Sequence, residues 1–289
     1  ILYRILLSYL YTSNQQFKEA TAVWEEIVKR NPDKVEYLYD WANAYIFENN
    51  LQEALKVYDL IEKKIGITEE ISIQKHKIYL SLNKFSKAVE TLEKLSAQYP
   101  QNVSYIAMIA ELYMSKKMYD NAYVCYKKIL DIAPQDKYIN ISLAGYYREI
   151  GDKEKSYLSL KKGFANPNLD IDTKINILLS YYTVTEIYDN LKNQAFELTE
   201  ILVNTHPNDP KSYSILADFL YRDKKYEQAR EALRKVNSLD NSRYPIWETL
   251  LIIESELNDT SALIREGETA IQLFPEQPLL YLITGIGYY

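Results

Sequence analysis

Catalysis needs nucleophiles, acids, bases or metal ligands held within reach of one another, so the scarce reactive side chains are read first. The chain has two histidines, His76 and His206, 130 positions apart, and one cysteine, Cys125. A metal site needs several ligands at close, set spacing, and these three residues offer none, so no metal is expected. His76 reads as a partly buried packing residue. His206, just before Pro207 at a helix end, reads as a solvated surface residue. A nucleophilic cysteine needs a lowered pKa and a base beside it; Cys125, between Tyr123 and Tyr126 on a helical stretch, reads as a buried structural thiol. Glu25-Glu26 and Glu69-Glu70 read as charge on solvated helix faces, not as a glycosidase-type pair. A phosphate loop needs glycine-rich backbone ahead of a helix, ending in the P-loop case on Gly-Lys-Ser/Thr. Gly285-Ile286-Gly287 is only part of such a pattern and has no strand before it. The residues predict no catalytic centre and no cofactor.

Composition narrows the class further. The chain has 289 residues, 47% hydrophobic and 26% charged, as in a folded globular protein rather than a disordered one. Only 7 residues are glycine, which predicts few and short loops, whereas 28 are tyrosine. No stretch reaches the roughly 18 apolar residues that a membrane-spanning helix needs. The net charge of −6 argues against a nucleic-acid binder, which usually presents a basic face. One cysteine excludes an intramolecular disulfide framework. No leader is visible, and the opening Ile1-Leu2-Tyr3 together with the stop at Tyr289 inside a helical pattern predicts a piece of a longer protein.

The tyrosines reveal how the chain is organised. Tyr11, Tyr45, Tyr79, Tyr113, Tyr147 and Tyr181 are each 34 residues apart. Ala20, Ala54, Ala88 and Ala122 keep the same interval, followed by the small Ser156. Pro32, Pro100 and Pro134 share it, with Gly66 in the gap, as do Phe17, Leu51, Phe85 and Tyr119. Within a unit the order is a large residue, a small one and Tyr, then Ala, an aromatic and a closing Pro. Trp41, Ala42, Tyr45, Ala54, Tyr58 and Gly66 show it in the second unit, and Ile109, Ala110, Tyr113, Ala122, Tyr126 and Pro134 in the fourth. Leu216, Ala217, Ala229, Leu233 and Val236 show it in the seventh. This pattern resembles the tetratricopeptide-repeat (TPR) family over essentially the whole chain. The resemblance implies an all-α, right-handed solenoid of stacked helix-turn-helix repeats, about eight plus a terminal half. The repeats fall at about 1–34, 35–68, 69–102, 103–136, 137–170, 171–209, 210–243 and 244–277, with a partial one over 278–289, as one solenoid domain across 1–289. The sixth is longer, because Tyr181 and Ala195 are 14 apart where Tyr45 and Ala54 are 9. That places a five-residue insertion near Thr185–Asn190. The eighth departs most: Glu254 replaces Tyr, Leu263 replaces Ala and Gly267 replaces the aromatic.

The physical reason for stacking is that one repeat cannot bury its apolar face alone, so neighbours share a continuous core. The small residues let paired backbones approach, the tyrosines wedge between helices, and proline stops the second helix and suits the start of the next.

In the TPR family the concave groove, lined mainly by first-helix residues, binds extended peptides or partner helices. Carried onto this chain, those positions are Tyr39, Asn43, Phe47, Lys77, Glu111, Met114, Tyr138, Arg148, Asp218, Tyr221 and Arg222. Aromatic residues and arginine are the usual anchors of protein interfaces. The TPR proteins that hold a chaperone's C-terminal carboxylate use a clamp led by Lys. Here that slot holds Ile5, Tyr39, Ile73, Ala107, Ile141, Ile175, Ser214 and Glu248, so this subclass is disfavoured. The expectation is a non-enzymatic protein-interaction scaffold whose Tyr-, Lys- and Asn-rich look resembles bacterial proteins of the family. It would sit in the cytoplasm, or in the periplasm or at the envelope, of a bacterium. Two alternatives stand beside it: the recruiting segment of a larger enzyme, and a module that self-associates through uncapped ends.

Overall fold

The computed structural model describes the backbone of residues 1–182 and 189–289 and the side chains of 1–181 and 191–289. All regular structure among them is helical. The chain forms two compact units, Ile1–Pro134 and Gln135–Tyr289. The first holds α1 (Leu2–Ser13), α2 (Phe17–Arg30), α3 (Val35–Phe47), α4 (Leu51–Ile65), α5 (Glu69–Ser81), α6 (Phe85–Gln98), α7 (Val103–Ser115) and α8 (Tyr119–Ile132). The second holds α9 (Ile139–Glu149), α10 (Lys153–Phe164), α11 (Ile171–Tyr182), α12 (Asp189–Thr205), α13 (Pro210–Arg222), α14 (Tyr226–Leu239), α15 (Tyr244–Glu256), α16 (Thr260–Leu273) and α17 (Pro278–Gly287). Within each unit odd-numbered first helices pair with even-numbered second helices and stack on neighbouring pairs, as an α-solenoid does.

Each second helix is built on one apolar stripe. In α4 the buried residues include Ala54, Val57, Tyr58 and Ile61, and in α14 they are Ala229, Ala232, Leu233 and Val236, at the i, i+3, i+4, i+7 spacing that puts side chains on one face. The small columns sit where paired helices touch: Ala42, Ala54, Ala88, Ala110 and Ala122 are all 0% exposed. Where a polar residue enters these columns, it bonds across the pair. His76 Nδ1 lies 3.2 Å from the Ala88 carbonyl, and Ser156 Oγ donates to the Ala144 carbonyl at 2.8 Å. The spaced tyrosines Tyr45, Tyr79, Tyr113 and Tyr181 pack half-buried against these cores.

The turn inside each repeat is also periodic. Gln15, Asn49, Asn83, Lys117 and Gly151, then Lys224 and Asn258, all have φ between 55° and 83°. The amide after each reaches back to the column residue: Gln16 N to Tyr11 O at 2.8 Å, Asn50 N to Tyr45 O at 2.8 Å, Met118 N to Tyr113 O at 2.9 Å. That bond, with the shorter one from the left-handed residue itself, is the Schellman arrangement that ends a helix and satisfies its last carbonyls. Between repeats the prolines do not open the next helix, contrary to the sequence-based expectation. Pro32, Pro100, Pro207 and Pro275 each hold the second position of a four-residue turn, closed by Lys34 N to Asn31 O, Asn102 N to Tyr99 O, Asp209 N to His206 O and Gln277 N to Phe274 O. Proline's fixed φ favours that position. The prolines at helix starts are instead Pro210, Pro245 and Pro278. The expected insertion near Thr185–Asn190 falls outside the fully described residues.

The departures of the last repeats have local causes. Glu254, in the tyrosine slot, is 0% exposed and lies 2.9 Å from Arg234 Nη2 and 3.5 Å from Arg230 Nη1, both on α14. At Gly267 an added Cβ would collide with the Thr284 side chain of α17, so a residue without a side chain is required.

Candidate functional site

The first helices place part of the predicted set in one row. Asn43, Lys77 and Glu111 occupy the same position on α3, α5 and α7, 34 residues apart, and all three are exposed. Among the described residues neither Lys77 nor Glu111 has an ion-pair partner. Met114, on the same turn of α7 as Glu111, is half-buried, and Tyr39 is half-buried against the α3–α4 core. Burial first, and Glu70 second, raise the Tyr39 phenol, while its bond with Thr68 opposes them. Phe47 closes α3, 57% exposed, with its ring stacked on Phe17 at 6.0 Å.

In the second unit Asp218 holds the corresponding position on α13 and is solvent-accessible. Its carboxyl is nevertheless pushed up to about 6 by the protein crowded around it, with Arg243 opposing. A side chain that is reachable by water but walled by neighbours loses part of its hydration without being covered. Tyr221 and Arg222 lie one turn further along α13, and the Tyr221 ring is 5.7 Å from that of Tyr226. Arg148, exposed on α9, borders a cleft of about 460 Å³ that it shares with Lys153, Ser156, Tyr157 and Tyr181. Tyr138 departs from expectation: it is the N-cap of α9 rather than a first-helix residue, and Lys137 Nζ lies 4.7 Å above its ring. Tyr39, Asn43, Phe47, Lys77, Glu111 and Met114 thus belong to one unit, and Tyr138, Arg148, Asp218, Tyr221 and Arg222 to the other.

The reactive residues do not converge. Cys125 is half-buried rather than buried, and burial pushes its thiol up, away from thiolate chemistry. His76 is buried as a packing residue. His206 is not a solvated surface residue: it is half-buried, and its Nε2 accepts from Lys174 Nζ at 2.7 Å. Among the described residues no group of three or more His, Cys, Asp and Glu is placed to hold a metal ion. None of the described helices is long and apolar enough to cross a membrane.

Pattern reading missed two buried lysines. Lys174 is 0% exposed and also donates to the Asn166 carbonyl at 2.8 Å. Lys75, in the slot that holds Trp41 and Ile109 elsewhere, pairs with Glu62 and, at 2.7 Å, with Asp59 of the preceding α4. A charge in an apolar column was the available signal. The structure also opens a cleft of about 960 Å³ between α12, α13 and α14, which column arithmetic does not show.

Family models described as "Tetratricopeptide repeat" match residues 6–66, 77–102, 103–136 and 210–243. No curated protein matches the chain. Among solved structures, a tetratricopeptide repeat protein from Parabacteroides merdae is 14% identical, with 99% of this chain and 98% of that one covered and a TM-score of 0.43. The C-terminal part of a TPR repeat-containing protein from Cytophaga hutchinsonii is 15% identical, over 84% and 98%, with a TM-score of 0.46. A protein described as MamA is 16% identical, over 56% and 88%, with a TM-score of 0.43. Likeness at this level says nothing about what this chain binds.

Proposed function

We propose that this chain, which belongs to the tetratricopeptide-repeat family, is a non-enzymatic scaffold that binds a peptide or a partner helix along its first-helix face. In this reading residues 1–289 act as one solenoid domain. The observation that carries it is the exposed row Asn43, Lys77 and Glu111 of the first unit; Asp218 is exposed at the corresponding position of α13 in the second. Stability does not require these polar residues, because the buried stripes already hold each helix pair. Partner binding gives them a use: charged and amide groups set orientation, while Tyr39, Phe47, Met114 and Tyr221 supply apolar contact.

The test is retention of partners from cell extract by the immobilised chain and by a variant carrying Asn43→Ala, Lys77→Glu and Arg148→Glu. None of the three replaces a core residue. A partner held by the wild type and lost by the variant is the expected result. Unchanged retention would remove the first-helix face from consideration.

A second reading, self-association, is favoured by one observation. The terminal helices present apolar side chains to solvent: Leu2 at 72% and Tyr3 at 77% on α1, Leu282 at 66% and Ile286 at 55% on α17. Exposed apolar patches commonly mark interaction surfaces.

A further inference from the structure

We propose that the cleft between α12 and α14 is a second docking site, built for an amphipathic helix whose apolar anchor is flanked by basic residues. It goes beyond the first-helix row, because it lies on the other side of α13. Tyr213, Leu216 and Leu220 line the cleft, at the i, i+3, i+7 spacing of one helix face. Asp218 and Arg222 are offset from them by roughly half a turn of 3.6 residues, and Tyr221 by roughly a quarter to a third of a turn.

The cleft exists because α13 packs against both α12 and α14, which leaves a trough floored by first-helix side chains. Its volume of about 960 Å³ is on the scale of sites that take several side chains or a whole ligand. Phe196 of α12 forms an apolar wall.

The rim selects the occupant. Four carboxylates line it, Glu197, Glu200, Glu227 and Glu231, against two lysines. Glu197 is already bonded to Lys161 and Tyr157, and Glu231 is 2.8 Å from Arg234. Lys225 pairs with Asp223 at 2.8 Å and lies 4.2 Å over the Phe196 ring, while Lys235 sits 5.9 Å over Tyr213. Glu200 and Glu227 are exposed and have no partner among the described residues. An apolar trough bordered by two unsatisfied carboxylates complements a cationic amphipathic segment and repels an acidic one. A helix is the fitting form, since a trough between helices takes i, i+3, i+4, i+7 anchors, and the described residues offer no strand edge for β-augmentation.

The experiment uses the full chain and two fluorescent helical peptides, with Leu and Phe at i, i+3, i+4 and i+7 and either Lys or Glu at the flanks. Anisotropy titrations should show micromolar binding of the Lys peptide, weakened by salt, and none of the Glu peptide. Glu200→Lys with Glu227→Lys should weaken it by about tenfold, and Glu200→Gln with Glu227→Gln by less. Asn43→Ala with Lys77→Glu should leave it unchanged, which separates this site from the first-helix row. Binding of neither peptide, equal binding of both, or loss caused by the Asn43 and Lys77 changes but not by the Glu200 and Glu227 changes would overturn the proposal. Circular dichroism of each variant confirms that it is folded.

Discussion

Lys174 and His206 show how far a single position can depart from its column. Position four of the repeat holds Leu38, Ile106 and Trp247 elsewhere, and Lys174 is as thoroughly buried as they are. Its charge is sustained by two acceptors, the Asn166 carbonyl and His206 Nε2. Burial pushes the Lys174 ammonium down to about 8, with Asp170 opposing. The His206 imidazole is also lowered, by burial and then by Lys174, with Asp209 opposing. Both folded-state values lie below the unfolded ones, so the unfolded chain takes up these protons first as pH falls. The stability concerned is present above the unfolded values and declines as pH drops, between about 10.5 and 8 for Lys174 and from about 6.5 downward for His206. Lys174→Met should therefore flatten the pH dependence of urea unfolding between pH 8 and 10.5. The wild type should lose on the order of 2–3 kcal/mol across that window relative to the variant. Parallel curves for the two proteins would refute this. The sequence showed a charge in an apolar slot. It did not show the partner, which lies 32 residues away and is brought in by the packing of α11 against α12 and α13.

At the scale of the element, the left-handed turn inside each repeat decides where a first helix stops. Five in-phase positions and two later ones adopt it, but only Gly151 is glycine. Asn49, Asn83 and Asn258 tolerate the conformation, whereas Gln15, Lys117 and Lys224 carry a Cβ that crowds the following carbonyl. Lys117→Gly and Lys224→Gly should each raise stability, by about 0.5–1 kcal/mol once glycine's larger unfolded-state entropy is subtracted. Gly151→Ala should lower it by about 1 kcal/mol. Thermal midpoints measured by circular dichroism test both signs, and a loss at Lys117→Gly would show that its side chain matters more than its φ. The helices were legible because their buried stripes repeat every 34 residues. The left-handed residue was not, since its side chain changes from turn to turn and only the backbone is shared.

At the scale of the whole molecule, the closely packed helix pairs within each unit are neighbours along the chain, which makes stability a near-neighbour sum. Leu2 and Tyr3 on α1 and Leu282 and Ile286 on α17 are exposed. If these side chains pair between copies, light scattering should show mass rising with concentration. Leu2→Glu with Leu282→Glu should abolish the rise without disturbing the fold, because both side chains are exposed. A constant monomer mass would remove the self-association reading.

Family and fold class followed from sequence alone. A 34-residue period with a small residue in each helix has one economical solution, in which equivalent residues meet the same environment at every step. The tertiary structure decided the rest. It put Tyr138 at a helix cap, moved the prolines into the turns, closed Arg230 and Arg234 around Glu254, buried Lys174 against His206, and left a trough between α12 and α14. These features depend on how far apart helices come to rest and on which unlike residues then face each other. Spacing along the chain encodes what repeats, whereas these contacts, the proline turns apart, occur once.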